Sequence, residues 1–159
     1  MLHFFGMKRI LSFTPHALAL LVSGVFLDSL RYKFTNHHNT QIIFGKLDAW
    51  ASSLGAPGLF APSGLFSQYV IGSAELVASF LLLLGMLSYF RALQGLGALL
   101  VLIIMTGAVS FHLFTPLGID PNNDGGGLFV AAVLVWFASL TLVLWRRREI
   151  LALIKKLHS

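Results

Sequence analysis

Residues 66–90 read FSQYVIGSAELVASFLLLLGMLSYF. A helix that crosses a bilayer needs about 20 mostly apolar residues, and this run supplies them. Yet it carries a carboxylate, Glu75, well inside. At 1.5 Å per residue Glu75 lies about 14 Å from the start of the run, close to mid-bilayer. A charge there costs at least ~2.5 kcal/mol on insertion scales. A fold that keeps it must supply either a partner or a use.

Three further runs, 10–32, 93–114 and 126–145, have the same character. The four together predict an all-α, polytopic membrane four-helix bundle in one domain of 159 residues. Only 11% of residues are charged, against about 25% in a soluble domain, which excludes the soluble class. There is no cysteine, so disulfides, thiolate catalysis and cysteine-ligated metals are excluded.

The net charge of +5 does not point to nucleic acid, because the charges sit at the ends of apolar runs. Eight of the eleven Lys and Arg residues fall on one side. They are Lys8 and Arg9, Arg91 in the short link after the second run, and five between 146 and 156. Arg31, Lys33 and Lys46 fall on the other side. The positive-inside rule then puts both termini in the cytoplasm. Residues 1–13 read as a signal anchor retained as the first span. Residues 146–159 read as a basic cytoplasmic tail that continues as a helix against anionic lipid.

The first outward loop holds apolar residues at helical spacing over 39–50. This predicts a short interfacial amphipathic helix, capped by Asn39 or Thr40 and ended by Gly55. The second outward loop, 115–127, is the most polar stretch, and Asp124 is placed to cap the fourth helix.

The 3.6-residue period puts Gln68, Gly72, Glu75 and Ser79 in one stripe of the second helix, facing the bundle. Asp28 and Arg31 are i,i+3 neighbours at the outer end of the first helix. His112 lies in the last turn of the third. Nearly every intramembrane polar group falls in the outer half, and the inner halves are almost purely apolar. Two readings follow. One is an outward-facing pocket with Glu75 at its floor and Arg31, Lys33, His112 and Asp124 near its mouth. The other is a structural ion pair, with Arg31 or Lys33 reaching down to Glu75. The adjacent His37 and His38 have no further ligands at suitable spacing, so no metal site is expected. Trp136 and Phe137 are expected to be lipid or packing contacts.

The segments RYKFTN (31–36), IGSAELVASFLLLLG (71–85) and SFHLFTPLGIDPNNDGGGLF (110–129) resemble the DoxX-like family of small four-helix membrane proteins. The family pattern of a Lys after the first span, Gly-x-x-Glu in the second, His ending the third and an acidic, Gly-rich start to the fourth is matched by Lys33, by Gly72 with Glu75, by His112, and by Asp124 with Gly125 and Gly126. The resemblance spans roughly residues 10–148. It implies a bacterial cytoplasmic (inner) membrane protein. It also implies either a site for a quinone or another lipophilic ligand in membrane redox chemistry, or a non-enzymatic accessory subunit of a larger membrane complex. Glu75, His112, Lys33, Arg31, Gln68 and Asp124 are the candidate ligand-binding residues. No catalytic residue and no haem, flavin or nucleotide motif stands out.

Overall fold

A computed structural model describes the backbone of residues 2–158 and the side chains of 13–158. The basic pair Lys8 and Arg9 lies outside the described side chains. Among the described residues there are five α-helices, one 3-10 turn and no strand: α1 (Leu2–Phe34), α2 (His38–Ser53), α3 (Gln68–Leu84), the 3-10 turn Ser88–Phe90, α4 (Arg91–Phe114) and α5 (Gly127–Leu157). Three segments, Phe13–Phe34, Ser88–Phe114 and Gly127–Leu157, are long and apolar enough to cross a membrane. The protein is on this ground an integral membrane protein. Helix α3 is equally apolar but has 17 residues. It is about 26 Å long at 1.5 Å per residue, slightly short of a ~30 Å hydrocarbon core.

Helix α1 packs on α3, α3 on α4, α4 on α5, and α5 back on α1. The apolar core runs down the middle of this ring, with Phe26 from α1, Leu82 from α3, Val101 from α4, and Val135 and Leu142 from α5. Ala132, Ala138 and Ser139, small residues of α5, are buried there and let helices approach closely. The outward faces carry Phe80, Ile103, Leu134 and Phe137, all well exposed, as a lipid-facing belt requires.

Local sequence sets the ends. Asn36, at φ 53°, ends α1, and the His37 N–H donates back to the Tyr32 carbonyl. Asn tolerates this left-handed geometry better than most residues. His37 rather than Asn39 or Thr40 caps α2, its Nδ1 accepting from the Asn39 N–H. Ser67 caps α3 through the Val70 N–H. The helix of the second apolar run stops at Leu84 instead of continuing to residue 90. At Gly85 a side chain would collide with the backbone of Gln94, so the chain turns here and α3 and α4 pack tightly. Helix α5 runs unbroken from its apolar start through the basic residues to Leu157.

The end of the bundle opposite Glu75 is less apolar than expected. Gln94 is fully buried and Arg146 nearly so. The Arg146 Nε donates to Gln94 Oε1 at 2.7 Å, and Gln94 Nε2 donates to the Pro15 carbonyl at 3.5 Å. Arg146 also pairs with Glu149 at 3.4 Å. The sequence pattern placed Arg146 among tail charges. The bundle instead draws it inside, because a buried glutamine and a nearby acid satisfy it.

Candidate functional site

At the other end of the ring the helices enclose a cavity of about 450 Å3. Its walls come from the C-terminal turns of α1 and α4 and the first turns of α3 and α5. Helix α2 lies across the top, contributing Thr40, Ile43 and Leu47. Below α2, Leu47 and Ala51 pack with Phe60 and Leu117 in a second apolar cluster. Asp48 Oδ1 accepts from the Phe60 N–H at 3.0 Å and ties the following loop to the helix.

Glu75 is on the wall, 3% exposed. Lys33 Nζ lies 3.0 and 2.9 Å from its two carboxylate oxygens. Ser29, one turn before Lys33, donates its hydroxyl to Glu75 Oε2 at 2.7 Å and accepts from Lys33 Nζ at 2.8 Å. An ammonium has three N–H donors, and this triad uses all of them. Gly72 packs against this lysine: a Cβ there would sit 3.4 Å from both Lys33 Cδ and Phe34 Cζ, ordinary contact distance. The Gly-x-x-Glu spacing thus brings a small residue against the lysine stem one turn from the carboxylate.

His112 is buried on the cavity wall. Its Nδ1 lies 2.6 Å from the Gly118 carbonyl. A carbonyl only accepts, so Nδ1 carries the proton, and in the neutral ring Nε2 is an acceptor. Asn122 also lines the cavity, and its Oδ1 is buried without a donor. Asp124 stands at the rim. It accepts from the N–H groups of Gly126 at 3.0 Å and Leu128 at 2.9 Å. The cap position itself is held by Gly126 in the left-handed conformation, so Asp124 supports the start of α5 from two residues upstream rather than as its N-cap. Burial pushes its carboxyl up. The bonds from the N–H groups of Leu128 and Gly126 outweigh that and hold its pKa below the ordinary aspartate value.

Four of the six candidates, Glu75, Lys33, His112 and Asp124, therefore line one cavity. Gln68 and Arg31 do not. Gln68 is buried beside it and donates to the Lys33 carbonyl and to Asn36 Oδ1, both at 2.9 Å, which secures the end of α1. Arg31 is exposed and pairs with Asp28 at 2.7 Å. Ser29, Tyr32, Thr40 and Asn122 are polar wall residues that sequence reasoning missed. Ser29 had a signal, the i,i+4 spacing to Lys33. Asn122 and Thr40 come from loop and lid, where no period applies. Among the other aromatics, Trp136 Nε1 donates to Thr106 at 2.9 Å, and Phe137 faces outward.

Comparisons with profiles of known families, with curated proteins and with solved structures find no match.

Proposed function

We propose that this chain is a DoxX-like four-span protein of the bacterial inner membrane, with both termini cytoplasmic, and that its cavity binds a quinone or a similar lipophilic ligand for membrane redox chemistry. The observation that carries the reading is the buried Glu75–Lys33–Ser29 triad on the wall of a cavity of about 450 Å3. That volume falls in the range of small-molecule sites, which are mostly apolar with a few placed polar groups. An ion pair that served only to hold α1 against α3 needs no such space beside it.

The polar groups suit a ring bearing two oxygens. A carbonyl oxygen takes a hydrogen bond from Lys33 once one of its two bonds to Glu75 is released. A hydroxyl donates to His112 Nε2 or Asn122 Oδ1. Asp124 stays at the rim, and Gln68 and Arg31 act on the fold rather than the ligand. The motif residues that carry the DoxX-like resemblance supply most of this chemistry. An accessory-subunit role has no feature of its own here, since the exposed apolar belt is equally what lipid covers.

The test is a His112→Asn variant. Asn keeps a donor near the Nδ1 position for the Gly118 carbonyl and removes the Nε2 acceptor. A short-chain quinol analogue is expected to raise the melting temperature of the purified wild type, and to bind the variant ~10-fold more weakly or worse, a loss of about 1.4 kcal/mol. Equal binding to both, or no binding to the wild type, would sink the reading.

A further inference from the structure

The cavity walls are not equally closed. On the α3–α4 side, Phe60 packs against Phe66 at 5.9 Å and Phe111 at 5.3 Å, and Trp50 packs edge-on to Phe111 at 6.2 Å. These rings cover that flank beneath α2, although Phe66 is itself 43% exposed. On the α1–α5 side the wall is thin. Val25 of α1 and Leu128 of α5 both line the cavity, and each is 38% exposed to the outside. Ala131, one turn beyond Leu128, adds only a methyl group. Beside Val25, Gly24 has no heavy atom within 4 Å of where a Cβ would lie. One turn below this thin place Leu21 is strongly exposed, and one turn above it lies the exposed Asp28–Arg31 pair. The thin place therefore sits where the apolar surface of α1 gives way to a polar one.

We infer that the ligand is a long-tailed amphiphile, a quinone with a linear prenyl chain, that enters sideways from the bilayer between α1 and α5 and leaves its tail in that gap. This rests on the ligand-binding reading above. The chemistry of the walls supports it. The polar groups Lys33, Ser29, Glu75 and His112 are enclosed, while both edges of the gap are hydrocarbon. The cavity accommodates a headgroup and the start of a chain, and a longer chain must pass between Val25 and Leu128. A tailless, water-borne ligand would instead have to pass α2, whose Thr40 and Leu47 are buried against the bundle.

The test uses the unaltered protein in nanodiscs and a prenylated quinone with a diazirine on its second isoprene unit. After photolysis, peptide mass spectrometry is expected to place adducts around Val25 and Leu128. Excess untagged prenylquinone should abolish them. Adducts spread over the belt, for example at Phe80 and Ile103, or concentrated on the α3–α4 side, would overturn the lateral gap. A tailless quinone separates the two ideas. If it still raises the melting temperature when adducts map elsewhere, the pocket stands and the gap falls. If neither probe binds, both fall.

Discussion

Glu75 shows how a charge is kept inside an apolar bundle. Its partner could not be named from spacing alone. Arg31 and Lys33 are two residues apart, about 200° around the helix, so only one of them faces α3. The fold turns Lys33 inward, against Gly72 and Glu75, and leaves Arg31 to Asp28 in the open. An exposed pair of that kind is worth little. The buried pair is different, because losing one partner strands the other. Glu75→Gln or Lys33→Met alone is expected to destabilise the protein by about 3 kcal/mol. The double variant Lys33→Met/Glu75→Met should recover most of that while binding no quinone. Reversible unfolding in mixed micelles measures the first effect. A double variant as unstable as the singles would refute the pairing argument.

Helix α2 and the start of α5 show the same physics one level up. Helix α2 is half-apolar, and it covers the cavity because Leu47 and Ala51 find Phe60 and Leu117 beneath them. Helix α5 begins where Asp124 satisfies two backbone N–H groups at its start. Those groups have no partner within the helix. Asp124→Ala should cost about 1 kcal/mol, the size of a lost cap although Asp124 is not itself the N-cap. The pH dependence follows from the lowered pKa. The stabilisation is full above the ordinary aspartate pKa and is lost as pH falls through the lowered, folded-state value. Melting curves of wild type and variant should therefore converge at acid pH. A constant difference down to pH values well below the aspartate range contradicts this.

For the whole molecule, the proposed topology is the feature most open to direct test. With both ends inside, green fluorescent protein fused after Ser159 should fluoresce in a bacterial host. Alkaline phosphatase fused within residues 54–65 should be active, because that loop would be periplasmic. The reverse pattern would show that the charge count misled, and would place the cavity on the cytoplasmic side.

Sequence alone determined that the chain is helical and membrane-embedded, because bilayer thickness and backbone hydrogen bonding leave few ways to arrange such long apolar runs. It also picked out the stripe that carries Glu75, because the helical period is fixed. Three things were decided only by tertiary structure: which cation meets Glu75, that Gln94 and Arg146 are buried together at the far end, and that polar groups from five segments share one cavity. Each depends on the rotation and spacing of helices distant in sequence. Packing sets those, and no local pattern encodes them.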